Sequence, residues 1–233
     1  MDAEKNYKKE AACQADLMIT DNISIGLGDG STVLLLAGLL IDRIRQGLQI
    51  SICTSSLTTK DFLTKSDVPV VEADAVYNLD LYFDGCDQVD IDLNAFKSGS
   101  GIHTSEKLLA SMAKKFILLA DSSKFVEKLN NKFPLVLELL PRSVNYVQKQ
   151  LKSRFAEIGL NPRMNEYSDQ WVRTQDGNYL IDCYFKILPD LSTIQAFCKN
   201  ITGVIDHSLF FQLAHELIVS GDDGTHMLYR EHS

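Results

Sequence analysis

The stretch ISIGLGDGST, residues 23–32, decides the fold that the sequence predicts. Ile23 to Leu27 is a short β-branched strand, and a glycine-rich turn leads from it into Thr32 to Leu48, which has the composition of a mostly buried helix. Outward from this stretch we predict helices at 3–19, 60–65 and 104–115 and extended segments at 49–54, 68–72, 79–83 and 116–120. This β-α-β-α order predicts an α/β fold with a Rossmann-like, mostly parallel sheet and helices on both faces. In such sheets, ligands bind at the carboxyl ends of the strands.

The second half of the chain has a different pattern, which predicts a smaller inserted α+β subdomain. Helical spacing over 143–158 and a further helix at 191–198 lie among segments that we predict to be extended, at 134–140, 163–167, 171–174 and 179–187. The chain then returns to the main body over 204–211 and 215–219. We therefore predict an α/β catalytic domain of residues 1–130 and 203–233, and an α+β subdomain of residues 131–202.

Composition limits the classes of protein that are possible. The 233 residues include 23 basic and 31 acidic side chains, a net charge of −8, which argues against nucleic acid as the main partner. Five scattered cysteines without a CxxC motif predict neither a disulfide framework nor a zinc site, and they indicate a cytoplasmic protein. The polar N-terminus is no signal peptide, and the longest apolar stretch, 33–41, is too short to span a bilayer.

The first candidate site is the loop at 26–32. Its glycines allow a ligand to approach the backbone, and the N-terminus of the following helix offers N–H groups and hydroxyl donors from Ser31 and Thr32 to an anion. The loop lacks the Walker pattern and is a poor dinucleotide fingerprint. A tight turn capped by Ser31 explains the same residues equally well.

The second candidate site is DGCDQ, residues 84–88, where a strand ends within an acidic run that has no lysine or arginine from 67 to 96. Asp84 and Asp87 should reach the carboxyl edge of the sheet, and repulsion between close carboxylates favours a proton on one of them near neutrality. Although 90–94 begins like a calcium loop, Ala95 and Gly101 break that pattern, so we predict no metal site.

The third candidate site is the segment KSGSGIHTSEK, residues 97–107, which runs into a helix. With Thr104 as the N-cap, Glu106 lies in the first turn, where the helix dipole would keep it ionised as a base. Taken alone, Glu106 is more readily explained as a surface residue. His103 is best explained as a satisfied structural histidine.

Together the three loops bring an anion site, paired aspartates, a lysine and a glutamate to one sheet edge. A carboxylate can abstract a proton beside a carbonyl while a cation stabilises the enediolate oxygen, and no metal or redox cofactor is required.

The order of these motifs resembles type A ribose-5-phosphate isomerase over nearly the whole chain. The family motifs GTGST, DGADE and the KGGGG loop match 28–32, 84–88 and the segment from 97, and further matches lie at 115–117, 120–124 and 132–135. The resemblance implies an aldose–ketose isomerase of the pentose phosphate pathway that forms homodimers or homotetramers and takes a small sugar phosphate. It implies four catalytic residues: Glu106 as the base, Asp84 and Asp87 for ring opening and proton transfer to oxygen, and Lys97 for charge stabilisation. It implies substrate binding by Lys8, Asp29, Gly30, Ser31, Thr32, Gly85, Cys86, Ser98, Gly99, Ser100 and Lys124.

Several positions depart from the family pattern. Asp29 replaces a threonine and places an anion in the presumed phosphate loop, unless its side chain turns away or pairs with a lysine. Ser98 and Ser100 replace glycines, His103 replaces a leucine, and Gln88 and Ser105 replace a glutamate and an arginine. We favour the isomerase because the four presumed catalytic residues are retained. The alternatives are a non-catalytic sugar-phosphate sensor or an isomerase with a shifted substrate, and a nucleotide-binding protein is the weakest hypothesis.

Overall fold

The computed structural model of the chain describes residues 3–165 and 167–230. The helices in these residues are α1 Ala3–Asp16, α2 Ser31–Arg45, α3 Leu57–Thr64, α4 His103–Met112, α5 Val144–Arg154 and α6 Leu191–Lys199. The strands are β1 Ile23–Leu27, β2 Ile50–Thr54, β3 Leu79–Gly85, β4 Gln88–Asp90, β5 Ala95–Phe96, β6 Ala113–Asp121, β7 Phe125–Val126, β8 Leu135–Leu139, β9 Gly159–Pro162, β10 Tyr179–Tyr184, β11 Val204–His207, β12 Leu209–Phe210, β13 Glu216–Gly221 and β14 Gly224–Tyr229.

A six-stranded sheet in the order β14-β13-β6-β3-β1-β2 forms the centre of the fold. All its neighbouring strands are parallel except β14, which is antiparallel to β13. Because side chains alternate along a strand, Phe83 and Ile117 face a core formed with α1 and α2, whereas Tyr82 and Phe116 face a core formed with α4. The predicted mostly parallel sheet with helices on both faces is therefore confirmed.

A second, antiparallel sheet has the order β11-β8-β10-β9 and packs against α5 and α6. The expected return to the main body at 204–211 is wrong for its first strand, because β11 pairs with β8 in this second sheet. The division into 1–130 with 203–233 and 131–202 otherwise stays a prediction, and its ends at 1–2 and 231–233 lie outside the described residues.

Two of the predicted strands in the second half are also wrong. The segments 163–167 and 171–174 form only isolated bridges, while the actual strand in this region is β9. For 163–167 the reason is Asn165, whose side-chain oxygen accepts a hydrogen bond from the Tyr167 N–H at 2.9 Å and competes with strand pairing. This local hydrogen bond prevails over the strand composition. Residue 166 lies outside the described part of the chain.

A small sheet in the order β12-β5-β4-β7 adds Val89, Ala95 and Phe210 to the core on the α4 side. It carries the chain from the end of β3 towards α4, which places the predicted loops at the carboxyl edge of the central sheet. No helix in the described residues is both long enough and apolar enough to cross a membrane.

Candidate active site

The three predicted loops meet around one cavity of about 230 Å³ at the carboxyl edge of the central sheet. The cavity is lined by Asp29, Gly30, Ser31, Thr32, Gly85, Cys86, Asp87, Lys97, Gly99, Ser100, Glu106 and Lys124. Twelve of the fifteen predicted site residues are therefore in the lining. The other three, Lys8, Asp84 and Ser98, are not.

Asp84 lies at the end of β3, fully buried behind the cavity lining. Its Oδ2 accepts a hydrogen bond from the Tyr82 hydroxyl at 2.7 Å. Its Oδ1 accepts from the backbone N–H groups of Gly85 at 2.7 Å and Asp29 at 3.1 Å, and lies 2.9 Å from Lys97 Nζ. Burial raises the pKa of Asp84, and Lys97 opposes that shift. These contacts fix the carboxylate as an anchor for the groups around it.

Gly28 makes this position of Asp84 possible. A Cβ atom on Gly28 would lie 2.0 Å from both Cγ and Oδ1 of Asp84, far closer than atoms can approach. The glycine in the first loop is therefore required by the aspartate of the second loop, and any larger residue would displace the carboxylate.

Lys97 connects the two acids of the site. Its Nζ lies 2.9 Å from Asp84 Oδ1 and 3.3 Å from Glu106 Oε1, and it donates a hydrogen bond to the Gly85 carbonyl at 2.6 Å. Burial by itself lowers the pKa of Lys97, but the two carboxylates outweigh burial and raise the pKa above its usual value. The ammonium group therefore stays charged beside the cavity.

Glu106 projects from the first turn of α4 into the cavity and is otherwise fully buried. Although Lys97 lies within ion-pair distance, no donor among the described residues makes a well-directed hydrogen bond to either carboxylate oxygen. Burial, followed by the charge of Asp84, raises the pKa of Glu106 to about 8, against the opposing effect of Lys97. The acid whose charge raises the pKa of Glu106 is therefore Asp84, whereas we expected the repulsion to act between Asp84 and Asp87.

The environment of Glu106 corrects three expectations. Thr104 is not the N-cap, because α4 begins at His103 and the Thr104 hydroxyl donates to Glu138 instead. Glu106 is not on the surface. The helix dipole does not keep its pKa low, because the desolvation that accompanies burial is larger than a dipole effect of up to about 1 kcal/mol.

The N-terminus of α2 faces the cavity without a side-chain cap. Gly30 occupies the N-cap position, so the expected capping by Ser31 is wrong. Ser31 and Thr32 instead line the cavity in the first turn of the helix. Their hydroxyls and the adjacent backbone N–H groups form a region suited to an anion.

Asp29 lines the same region, and one of its carboxylate oxygens accepts a hydrogen bond from a residue that is not in the cavity lining. The Ser56 hydroxyl donates to Asp29 Oδ1 at 2.5 Å, and Ser56 is itself the N-cap of α3. In the part of the chain that the structure describes, Asp29 has no lysine or arginine partner. Its side chain is thus partly turned towards α3 while its negative charge stays at the cavity.

Asp87 fixes the glycine–serine loop that follows Lys97. Its Oδ2 accepts hydrogen bonds from the backbone N–H groups of Ser98 and of Gly99, the latter at 3.1 Å. The Ser98 side chain points out of the site and donates to the Pro134 carbonyl at 2.6 Å, which explains its absence from the cavity lining. Gly101 alone in this loop has a positive φ, +73°, so serine at 98 and 100 causes no backbone strain.

Two predicted lysines differ in position. Lys124 lines the cavity and donates to the Cys86 carbonyl at 2.7 Å, which ties the second loop to the end of β6. Burial raises the pKa of the Cys86 thiol to about 12, so this residue contributes backbone and shape rather than a thiolate. Lys8 lies on α1 and is not in the cavity lining.

Two other family departures are buried. His103 is fully buried, and burial lowers its pKa to about 3, so it stays a neutral ring at a position where the family has leucine. The expectation of a satisfied structural histidine is wrong, because neither ring nitrogen of His103 has a well-directed hydrogen-bond partner among the described residues. Gln88 is buried and forms two hydrogen bonds with Asn130. Its side-chain Nε2 donates to Asn130 Oδ1 at 3.2 Å, and its Oε1 accepts from the Asn130 backbone N–H at 2.9 Å. Neither residue is in the cavity lining.

Sequence reasoning missed four residues that support the site: Tyr82, Ser56, Glu138 and Arg163. Tyr82 was detectable, because strand alternation places it on the same face as Asp84 two residues later. The contacts of Ser56 with Asp29, Glu138 with Thr104 and Arg163 with the glycine–serine loop join distant parts of the chain. No local pattern indicates them.

Comparison with known proteins identifies the family. The sequence model of the family ribose 5-phosphate isomerase A (phosphoriboisomerase A) matches residues 51–224 of this chain. Ribose-5-phosphate isomerase A of Thermosynechococcus vestitus is 36% identical, covering 94% of this chain and 92% of the relative. The corresponding protein of Methanothermobacter thermautotrophicus is 34% identical, covering 98% and 100%.

Solved structures agree with this result. A D-ribose-5-phosphate isomerase in complex with phospho-erythronic acid has a TM-score of 0.91 and 32% identity, and the match covers 99% of this chain and 100% of that one. Ribose 5-phosphate isomerase A from Methanocaldococcus jannaschii has a TM-score of 0.89 and 30% identity, with 97% and 99% covered. The chain that forms this cavity therefore belongs to the ribose-5-phosphate isomerase A family.

Proposed function

We propose that the cavity interconverts D-ribose 5-phosphate and D-ribulose 5-phosphate, the known reaction of the family, with Glu106 as the base. The observation that carries this proposal is the carboxylate of Glu106, which is buried, faces the cavity and has no well-directed hydrogen bond from the described residues. Its pKa of about 8 is close to neutrality, where a group both accepts and returns a proton efficiently.

The proton transfer follows from the position of Glu106 beside Lys97. The Glu106 carboxylate takes the proton from C2 of the open-chain aldose, the C–H electrons form the C1–C2 double bond, and negative charge develops on O1. Lys97, charged and 3.3 Å from Glu106, stabilises this enediolate. Glu106 then returns the proton to C1, while O1 gains a proton and O2 loses one, which gives the ketose.

The two aspartates take different roles in this proposal. Asp84 is buried behind Lys97 and already accepts four contacts, so we assign it the positioning of Lys97. Asp87 lines the cavity, and its Oδ1 accepts no hydrogen bond from the described residues, so we assign it ring opening and proton transfer between the sugar oxygens. This assignment divides a task that the resemblance gave to both.

The remote phosphate fits the N-terminus of α2. The first-turn N–H groups of α2, which have no partner within the helix, the hydroxyls of Ser31 and Thr32 and the ammonium of Lys124 provide donors along one side of the cavity. Binding by the backbone of Gly30, Gly85, Gly99 and Ser100 belongs to the same proposal. The phosphate role implied for Lys8 stays a prediction.

Turnover of ribose 5-phosphate in the presence of EDTA, followed by formation of the ketose, tests the function. Glu106→Gln should lower kcat by about 10³-fold, because general base catalysis of this kind is lost. The exposed Glu127→Gln is the matched control and should leave kcat unchanged. Full activity in Glu106→Gln would contradict the assignment of the base. Sugar-phosphate binding without turnover in the wild type, measured by calorimetry, would favour the sensor.

The family resemblance also supports a homodimer or homotetramer in the cytoplasm, with no nucleic-acid or membrane partner. All five cysteines are free of disulfides, as is usual in a reducing compartment. Light scattering coupled to size exclusion tests the oligomeric state, and a monomer at micromolar concentration would contradict this part of the proposal.

A further inference from the structure

Arg163 lies outside the cavity, just after β9, and reaches the glycine–serine loop that follows Lys97. Its Nη2 donates to the Ser98 carbonyl at 2.9 Å, and its Nη1 donates to the Gly99 carbonyl at 3.1 Å. These two carbonyls are neighbours on the chain, so one planar guanidinium group holds two successive peptide units.

The same two residues are held from the other side by Asp87. The backbone N–H groups of Ser98 and Gly99 donate to Asp87, while their carbonyls accept from Arg163. A carboxylate and a guanidinium group therefore hold this short stretch between them. Hydrogen bonds to charged partners are stronger and shorter than neutral ones, so the path of the loop is well defined.

Arg163 is itself well supported. Its side chain pairs with Asp182 on β10, with Nη2 2.6 Å and Nε 3.1 Å from Oδ1. Its backbone is fixed independently, because its N–H donates to the Leu180 carbonyl at 2.9 Å and its carbonyl accepts from the Val172 N–H at 2.8 Å. Removing the side chain leaves these backbone bonds in place.

The loop also packs closely against β10. A Cβ atom on Gly101 would lie 2.5 Å from Leu180 Cδ1 and 3.0 Å from Arg163 Nη1. Gly101 therefore allows the loop to approach Arg163, and this close approach is a second observation that the arginine and the loop are fitted to each other.

We propose that Arg163 is a positioning residue for substrate binding, acting through the loop at 98–100. Gly99 and Ser100 line the cavity, so loosening the loop disturbs the substrate contacts. Lys97 and Glu106 are held by contacts that do not include Arg163. The inference rests on the proposed function and assigns Arg163 an effect on KM rather than on the transfer of the carbon-bound proton by Glu106.

The test compares Arg163→Ala with Arg173→Ala. Arg173 is an exposed arginine nearby that bonds to the Gly177 carbonyl and Tyr179 and has no contact with the loop. We expect Arg163→Ala to raise KM for ribose 5-phosphate by about tenfold, the effect of losing one charge-assisted hydrogen bond, with kcat within about threefold of the wild type. Arg173→Ala should leave both constants unchanged.

Chemical rescue separates positioning from a general structural role. Low millimolar guanidinium ion should restore KM in Arg163→Ala towards the wild-type value, and Arg163→Lys should have an intermediate KM because one ammonium group cannot bond to both carbonyls. A wild-type KM in both variants overturns the proposal. A loss of kcat that follows the folded fraction and is not rescued overturns it as well. Wild-type and Arg173→Ala turnover report on the proposed function separately.

Discussion

Replacing Asp84 with asparagine should move the acid limb of the pH profile of kcat/KM to lower pH. Asp84 and Glu106 contact the same Nζ atom of Lys97, at 2.9 and 3.3 Å, so the contacting oxygens are at most about 6 Å apart. The negative charge of Asp84 disfavours ionisation of Glu106 and contributes to its pKa of about 8. Asparagine removes that charge and keeps a similar shape.

The size of the shift follows from Coulomb's law. Two unit charges about 6 Å apart at an effective dielectric constant of about 20 interact by roughly 3 kcal/mol, or about two pKa units. Without Asp84, the ionised form of Glu106 is favoured and its pKa falls from about 8 towards about 6. The sign is fixed because removing a like charge always favours the charged form of an acid.

The assay is kcat/KM for ribose 5-phosphate between pH 5 and pH 9, which reports the pKa values of the free enzyme. Wild-type kcat/KM should fall about tenfold per pH unit below the pKa of Glu106, and the midpoint should be lower in Asp84→Asn. Asp87→Asn is the control, because Asp87 forms no ion pair with Lys97 within the described residues. Titration of the substrate phosphate is common to all three enzymes. An unchanged midpoint in Asp84→Asn would refute the charge coupling.

Three further changes test separate parts of the site. Gly28→Ala should lower kcat/KM by at least about 100-fold, because the new Cβ displaces Asp84. The control Gly38→Ala, which has open space around the new Cβ, should retain activity and stabilise α2 by up to about 1 kcal/mol in thermal melts. Equal activities of the two variants would contradict this reasoning. Asp29→Thr should lower KM about fivefold by removing roughly 1 kcal/mol of repulsion with a phosphate dianion, and an unchanged KM would mean that the carboxylate does not act on the phosphate. His103→Leu should reduce acid sensitivity: the pKa of His103 is about 3 when folded and about 6.5 when unfolded, so the wild type loses about 2 kcal/mol of stability through this group between pH 7 and pH 5. Urea denaturation at both pH values measures that loss, and equal losses in wild type and variant would contradict it.

The position of the site was predictable because it depends on local patterns. Strand β1, the turn at 28–30 and strand β3 are each specified by a few neighbouring residues, and a parallel sheet brings the ends of its strands to one edge. This is why all three loops meet where the sequence predicted. The return strand β11 was assigned to the wrong sheet because its partner β8 is distant in sequence, and only tertiary pairing decides between two available edges.

The electrostatics of the site were not predictable, because they depend on burial by distant elements. From the sequence, Glu106 looks like a first-turn acid with a low pKa, and in the fold its desolvation reverses that expectation. The different positions of Asp84 and Asp87 are also invisible in the motif, since only the packing of Gly28 against Asp84 shows which of the two is buried. Residue types indicate a possible chemistry, and burial decides which group performs it.

The second sheet explains how Glu106 is held despite its cost in desolvation. Two residues before Glu106, the Thr104 hydroxyl donates to the buried Glu138 of β8. One residue after Glu106, Lys107 Nζ bonds to Asp206 Oδ1 of β11 at 2.7 Å and to the adjacent His207 carbonyl at 2.6 Å. Exposing Glu106 to water would therefore require α4 to break buried hydrogen bonds and an ion pair, each costly to leave unpaired. The sheet that contributes no side chain to the cavity lining thus maintains the raised pKa of Glu106, the proposed base, by fixing the helix that carries it.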